Sequence, residues 1–363
     1  MQRDKCDDSI VKGPSIFSWW RRFRSTESSS IQTTHDSNDS KDEDKYHNHS
    51  QEPADQGTLS CSDAPSNTEE LDAFYSAVTR LLGGTSLDRP KFRPSYSRIQ
   101  HCSQLDVWDC GIACMIMILR WLRTNTQPMD EYPMDSSWTV SEIQEREWMI
   151  EQLGTQSIWT ADLVLLLDKL VVQQQQQQQH IDRHRYLFCS ATFEVDPDHG
   201  LLGYYRDAFW NDQRRVTETF QTLQQLAAPM VQLSFLPTEC VLDLVTQEQC
   251  LAMVLLDNSL LKSKGCLWNE GSTTTNEYQE HDTFSGHYVL LCGISFDPSD
   301  VAQAESLDGT SSKAHFCLAL LNPSRSHTST MFISVERFEH AWRAKGTDND
   351  ILFVVKDSVD DAT

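Results

Sequence analysis

The sequence has few basic residues for its length. Lys and Arg total 30 against 53 Asp and Glu, which gives a formal net charge of −23 over 363 residues. Such a chain repels the phosphates of DNA and RNA, so a nucleic-acid partner is not expected. Glycine is also scarce, with 14 residues, and neither a GxxxxGK[ST] nor a GxGxxG pattern occurs. A glycine-rich phosphate-binding loop is therefore not predicted.

Long apolar segments and paired cysteines are missing as well. No apolar run approaches the ~20 residues that span a bilayer, so no transmembrane segment is predicted. The N-terminal stretch MQRDKCDDSIVKG is polar where a secretory signal needs an apolar core. The 11 cysteines are scattered without CxxC spacing, which disfavours a zinc knuckle. These features favour a cytoplasmic or nucleocytoplasmic protein with free thiols, not a secreted one.

The N-terminal segment, residues 1–94, is predicted to be mostly disordered because it has too few aliphatic residues to form a core. Within it, the spacing of apolar residues predicts a short helix at 68–83. The stretch IFSWWRRFR, from Ile16 to Arg24, interleaves aromatic and basic residues. That composition suits contact with an anionic membrane surface or a partner protein, and equally a segment without a role.

The rest of the sequence predicts one folded domain at 95–357, followed by a short tail at 358–363. Helical patterns come first, and one helix start is predicted from a capping-box pattern at Ser141 and Gln144. Strand-like runs such as LAMVLLD and HYVLLCGI dominate the second half. This segregation predicts an α+β fold. Three polar stretches are predicted to be surface insertions: 173–184, which begins with seven consecutive glutamines, 262–285 and 297–313.

The stretch QLDVWDCGIAC, residues 104–114, is the candidate catalytic segment. Cys110 precedes Gly111 and an apolar helix, so it lies at a predicted helix N-terminus, where backbone N–H groups stabilise a thiolate. Cys114, one turn later, is predicted to pack in the core. Asp109 opposes a reactive thiol, because an adjacent carboxylate raises the thiol pKa unless it points away. A lone cysteine in an apolar helix is more often structural, so its companions decide.

Three polar residues provide the groups that a cysteine nucleophile needs. Gln104 lies close enough before Cys110 to donate a hydrogen bond to an oxyanion. His287 begins a strand directly after a glycine, where it can act as the base. Asn322 ends the next strand and can orient the His287 ring, with Asp297 as the alternative orienter. This set predicts acyl transfer at a peptide, amide or thioester carbonyl.

Taken in order, a glutamine, Cys-Gly at a helix start, Gly-His-Tyr on a strand and Asn-Pro after the next strand resemble the papain-like cysteine peptidases. Within that superfamily the bacteriocin leader peptidases are the nearest branch. A closer resemblance is to the guanylyl cyclase domain-containing family of eukaryotes, over about residues 97 to 356. It rests on the blocks HCSQLDVWDCGIACMIMILRW, SIWTADLVLLL, FCSATFEVDPDH, LAMVLLDNSLL, GHYVLLCGI and LNPS.

The resemblance implies a papain-like α+β fold, in which a central N-terminal helix packs on an antiparallel sheet. Cys110, His287, Asn322 and Gln104 are then the site residues. A cysteine hydrolase would act on a peptide or amide and needs neither cofactor nor metal. The family name implies instead a guanylyl cyclase, with GTP as substrate and Mg²⁺ or Mn²⁺ as cofactor, although no metal-binding carboxylate pair can be selected from the sequence. A catalytically silent interaction module is the third prediction, and the residues favour the hydrolase.

Overall fold

The computed structural model describes residues 68–83, 99–123, 139–177, 185–247, 249–261, 284–308, 315–324 and 330–356. The predictions for the N-terminal segment before residue 68, for most of the insertion at 262–285 and for the C-terminal tail lie outside these residues. Among the described helices, none combines the length and the apolar character that crossing a membrane requires.

The described part of the chain contains nine α-helices and seven strands. The helices are α1 (Thr68–Leu81), α2 (Cys110–Arg123), α3 (Val140–Leu153), α4 (Thr160–Gln177), α5 (Phe209–Gln225), α6 (Thr238–Val245), α7 (Asn258–Leu261), α8 (Pro298–Asp308) and α9 (Val335–Trp342). The strands are β1 (Arg185–Ser190), β2 (Met230–Gln232), β3 (Cys250–Asp257), β4 (Gly286–Ser295), β5 (Cys317–Leu321), β6 (Met331–Ile333) and β7 (Ile351–Val355). Four helices therefore precede the first strand of the described chain, which agrees with an α+β organisation. The papain-like fold stays a prediction.

The seven described strands form one sheet in the order β2-β1-β7-β3-β4-β5-β6. All its neighbouring strands are antiparallel except β1 and β2, which are parallel. The prediction of an antiparallel sheet is therefore wrong for this edge pair. The reason is the connection: a parallel pair needs a crossover, and α5 lies between β1 and β2 in the chain.

The central helix α2 is buried over nearly its whole length, as its all-round apolar sequence predicts. It packs on β4 and on α4. Gly111 is needed for this close approach. A Cβ atom there would lie 2.8 Å from Cδ1 of Leu163 on α4 and 3.1 Å from Cδ2 of Tyr288 on β4. The start of the helix is thus held directly against the strand that carries His287.

The beginning of α3 differs from its prediction by two residues. Thr139 is the N-cap: its hydroxyl accepts the N–H of Glu142 at 3.2 Å, and the Glu142 carboxylate accepts the N–H of Thr139 at 2.8 Å. Both this pair and the predicted pair of Ser141 and Gln144 fit the capping-box spacing. Glu142 also forms a buried ion pair with Arg120 on α2, at 2.6 Å. This tertiary contact favours the cap at Thr139 over the one predicted at Ser141.

Two of the predicted surface insertions contain helix. The first five glutamines of the homopolymer, 173–177, continue α4, because glutamine has a good helix propensity once a helix has started. Residues 298–308 form α8 where an irregular insertion is predicted. The helix contacts β5 and β6, so packing on the sheet stabilises a segment whose sequence alone shows little amphipathic pattern.

Candidate active site at the start of the central helix

Cys110 is the first residue of α2, and 6% of its surface is exposed. Burial raises the pKa of the Cys110 thiol to about 11, although hydrogen bonds from the backbone N–H groups of Tyr288 and Gly111 act in the opposite direction. N–H groups of both the helix start and strand β4 thus favour the thiolate form. At neutral pH the resting group is a thiol, in an environment that can stabilise the thiolate once the proton is removed.

The carboxylate of Asp109 is fully buried and is engaged by the loop that precedes α2. It accepts the backbone N–H groups of Leu105 at 3.3 Å and Asp106 at 2.9 Å, and Nε of Arg146 on α3 at 2.8 Å. Its negative charge is thus balanced by a guanidinium, and it makes only a minor contribution to the raised pKa of Cys110. Asp109 holds the loop in shape, which answers the objection raised from the sequence.

Gln104 is anchored beside the end of β5. Its backbone N–H donates to the carbonyl of Pro323 at 2.9 Å, and its side-chain Nε2 donates to the carbonyl of Asp106 at 2.9 Å. One amide hydrogen therefore serves the loop itself. An amide nitrogen carries two hydrogens, so the second is the one that can serve a substrate oxygen.

His287 and Asn322 form the best-defined contact of the site. Nε2 of His287 lies 2.8 Å from Oδ1 of Asn322, and both residues are buried. The same Oδ1 accepts the backbone N–H of Ser324 at 2.9 Å and its hydroxyl at 2.7 Å. Because donors converge on it, this atom is the amide oxygen, and Nε2 of the histidine must carry the hydrogen. In the neutral ring, Nδ1 is then the basic nitrogen.

The four predicted site residues come from segments that are hydrogen-bonded to one another. Strands β4 and β5 are antiparallel neighbours, so the start of β4 lies beside the end of β5. His101 Nε2 donates to the carbonyl of Asn322 at 2.9 Å, which joins the segment before α2 to the end of β5. Asp297, the alternative orienter, follows the other end of β4 and accepts hydrogen bonds from Ser299 at the start of α8.

Tyr204 and Phe284 form an aromatic wall beside the start of β4, which the sequence does not predict. The Tyr204 hydroxyl donates to the carbonyl of Gly286 at 3.3 Å, and the ring of Phe284 packs edge-on against Tyr204 with centroids 5.4 Å apart. A Cβ atom on Gly286 would lie 3.2 Å from Tyr204 and 3.3 Å from Phe284, which explains the glycine before His287. The stretch LLGYYRD, directly after the DPDH block, is the signal that points to this wall.

The sequence model of a family described as guanylylate cyclase matches residues 99–354. The chain belongs to this family. A relative from Arabidopsis thaliana, named Guanylyl cyclase 1, is 24% identical over 260 residues, which cover 72% of this chain and 76% of the relative. The resemblance to the guanylyl cyclase domain-containing family is thereby confirmed, and the relation to papain-like peptidases stays a prediction.

In this guanylylate cyclase family member, one group of side chains fits a divalent cation, the cofactor class that the family name implies. Asp196, His199 and Asp348 each have a ligand atom within 4.8 Å of the others, and no second such group exists in the described part of the chain. Carboxylate and imidazole groups are common ligands of divalent ions. No sequence pattern joins these three residues, because most of the strands lie between His199 and Asp348 in the chain.

Proposed function

We propose that the protein is a papain-like cysteine hydrolase, with Cys110 as nucleophile and His287 as general base. The observation that carries the proposal is the 2.8 Å contact between His287 and Asn322, whose acceptor oxygen is fixed by Ser324. This contact determines the tautomer and the orientation of the ring, which is the role of the third member of a catalytic triad. The position of Cys110 adds support, because the neighbouring Gly111 packs directly against Tyr288, the residue next to His287.

The proposed reaction proceeds through a thioester. Nδ1 of His287 takes the thiol proton while the sulfur attacks the carbonyl carbon of a peptide or amide, and the carbonyl electron pair moves to oxygen. N–H groups at the start of α2 and the Gln104 amide stabilise that oxyanion. His287 then gives the proton to the leaving amine as the C–N bond breaks. Water attacks the thioester with His287 again as the base, which releases the acid and restores the thiol.

A preformed thiolate is not part of this mechanism. Burial raises the pKa of Cys110 to about 11, so the sulfur is protonated at neutral pH. Proton transfer to His287 must therefore accompany the attack, as in general-base catalysis. This arrangement differs from the stable thiolate–imidazolium pair of highly activated cysteines.

The state of the cysteines bears on where in the cell the proposed activity takes place. The eight described cysteines, including Cys110, are all free and buried. Reducing compartments such as the cytoplasm keep thiols in this state, and a cysteine nucleophile works only when reduced. We therefore place the activity in the cytoplasm.

The experiment is covalent labelling of the full-length protein with a peptidyl chloromethyl ketone, followed by mass-spectrometric mapping of the adduct. The expected adduct lies on Cys110 and is lost in Cys110→Ala. Cys114→Ala is the matched control, because it removes a fully buried thiol from the next turn of the same helix. Equal labelling of wild type and Cys110→Ala, with both variants folded by circular dichroism, would remove Cys110 as the nucleophile.

A guanylyl cyclase is the second candidate, favoured by the family name and by the Asp196, His199 and Asp348 group. A bound divalent ion would stabilise charge on the triphosphate of GTP. The test is incubation with GTP and Mg²⁺ or Mn²⁺, with cyclic GMP measured by mass spectrometry. Product from wild type and Cys110→Ala, but not from Asp196→Asn/Asp348→Asn, would favour the cyclase. If wild type gives neither the Cys110 adduct nor cyclic GMP, the catalytically silent interaction module is favoured.

A further inference from the structure

Three side chains from two distant segments of the chain lie close together. Asp196 precedes a 3₁₀ turn, Pro197–Leu201, that contains His199, and Asp348 lies in the loop before β7. One ligand atom of each residue lies within 4.8 Å of the other two. The closest printed contact joins Nε2 of His199 to Oδ1 of Asp348 at 3.2 Å.

Hydrogen bonds hold both segments in place. Asp196 caps its own turn, because its Oδ1 accepts the N–H of Asp198 at 2.9 Å. The carbonyl of Asp348 accepts the N–H of Ala191, directly after β1, at 2.9 Å. The Asp196 carboxylate and the backbone of Asp348 are thus held by the fold before any ion binds.

The imidazole of His199 is buried, with 1% of its surface exposed, and aromatic rings fix its position. It stacks on Tyr205 with centroids 5.0 Å apart and an interplanar angle of 13°, and it contacts Trp159 at 5.7 Å. Among the described residues, its Nδ1 has no hydrogen-bond partner, and neither has the buried Oδ1 of Asp350. Nε2 is the nitrogen that faces Asp348, so an ion would bind there, and Nδ1 would carry the ring hydrogen as in a metal-bound imidazole.

The charge of the group is unbalanced. Within the described part of the chain, no Lys or Arg forms an ion pair with Asp196 or Asp348; Lys345 pairs with Asp198 instead, at 3.2 Å. Two carboxylates therefore face a single imidazole. A cation between the ligand atoms would remove the repulsion between the carboxylates.

We propose that Asp196, His199 and Asp348 bind a divalent transition-metal ion, Mn²⁺ or Zn²⁺. An imidazole combined with two carboxylates suits these ions, whereas Mg²⁺ and Ca²⁺ favour oxygen ligands throughout. Three protein ligands leave further coordination positions for water. The site is distinct from the Cys110 chemistry, and the ion joins the turn after β1 to the loop before β7.

The experiment measures binding by the full-length protein after chelator treatment and dialysis. Mn²⁺ is followed by electron paramagnetic resonance and Zn²⁺ by calorimetry, with Mg²⁺ and Ca²⁺ as comparison ions. We expect one tightly bound ion per chain in wild type. In Asp196→Asn/Asp348→Asn the affinity should fall by about 100-fold or more. These changes preserve the backbone. Asparagine retains the cap at 196, and it tolerates the left-handed φ of 52° at 348.

Asp198→Asn is the matched control. It removes the same charge two residues from Asp196, at a side chain that is 59% exposed and paired with Lys345. This variant should bind the ion as wild type does. Because His47 and His49 lie outside the described residues and can also bind metals, His47→Ala/His49→Ala is the second control and should retain the tight site.

Two results would overturn the proposal. The first is the absence of saturable binding of either ion by wild type, which would mean that His199 and Asp348 form an ion pair only. The second is unchanged binding in Asp196→Asn/Asp348→Asn. Labelling of Cys110 in that double variant separates the two proposals, since the hydrolase site should still react when the ion cannot bind.

Discussion

Nε2 of His287 lies 2.8 Å from Oδ1 of Asn322, and Ser324 donates two further hydrogen bonds to the same oxygen. The contact joins the start of β4 to the end of β5, two neighbouring antiparallel strands. Because the acceptor is held from both sides, the ring cannot rotate without breaking a buried hydrogen bond. The histidine is therefore positioned by the sheet itself, before any substrate binds.

Asn322→Ala should slow the modification of Cys110 by about tenfold or more, since the change removes the acceptor that orients His287. It should also lower the free energy of unfolding by about 1–3 kcal/mol, because buried donors lose their partner. Labelling rates by mass spectrometry and urea unfolding measure the two effects. Asn322→Asp keeps an acceptor oxygen and is the control. Equal labelling rates for Asn322→Ala and wild type would separate Asn322 from the site.

Asp109→Ala should destabilise the protein by about 3 kcal/mol, because two backbone N–H groups and Arg146 lose a fully buried acceptor. The loop that carries Gln104 should loosen with it, so labelling of Cys110 should slow. Arg123→Ala is the comparison: it breaks a half-exposed ion pair with Glu145, 2.7 Å long, and should change stability by less than about 1 kcal/mol. Similar effects of the two changes in urea unfolding would contradict the assigned role of Asp109.

Gly111→Ala should displace the start of α2, because the added Cβ would lie 2.8 Å from Leu163 and 3.1 Å from Tyr288. We expect a loss of about 1–3 kcal/mol in stability and slower labelling of the neighbouring Cys110. At Gly203 a Cβ atom would meet only the end of the Arg206 side chain, at 3.9 Å, so Gly203→Ala is a control that should have little effect. Thermal unfolding of both variants tests the prediction, which fails if Gly111→Ala melts like wild type.

The stability of the protein should decline at alkaline pH. Burial raises the pKa of Cys110 and Cys240 to about 11 and that of Cys102 and Cys317 to about 12. In the unfolded chain these thiols ionise near ~8.5. The folded state therefore retains protons that the unfolded state releases, so the stabilisation is complete below about pH 8 and is lost as the pH rises toward about 11.

Urea unfolding at a series of pH values measures this decline. Cys240→Ala lacks one of the buried thiols and should show a shallower slope. A free energy of unfolding that stays constant across the alkaline range would show that these thiols ionise in the folded protein as readily as in the unfolded chain.

Local patterns in the sequence predict much of the fold because they are set by residues close together in the chain. The apolar run from Gly111 predicts the buried helix α2, and the runs LAMVLLD and HYVLLCGI become the neighbouring central strands β3 and β4. Tertiary contacts decide the rest. The ion pair between Arg120 and Glu142 favours the cap at Thr139, and contact with β5 and β6 stabilises α8.

The candidate site follows the same division. Cys110, His287 and Asn322 could be selected because each stands at the end of a predicted element, where its geometry follows from local sequence. The hydrogen bond from Gln104 to Asp106 could not be predicted, since it depends on the shape of a loop. Nor could the meeting of His199 and Asp348, which depends on the position of β7 within the sheet.

The most direct test of the central claim is the pH dependence of Cys110 alkylation in wild type and in His287→Ala. Iodoacetamide labels the protein over the range from about pH 5 to 11, and mass spectrometry quantifies the Cys110 adduct. With His287 as base, wild type should react about 100-fold faster at neutral pH than His287→Ala, whose rate should rise only as the thiol itself ionises near its pKa of about 11. Identical profiles for the two proteins would contradict the account.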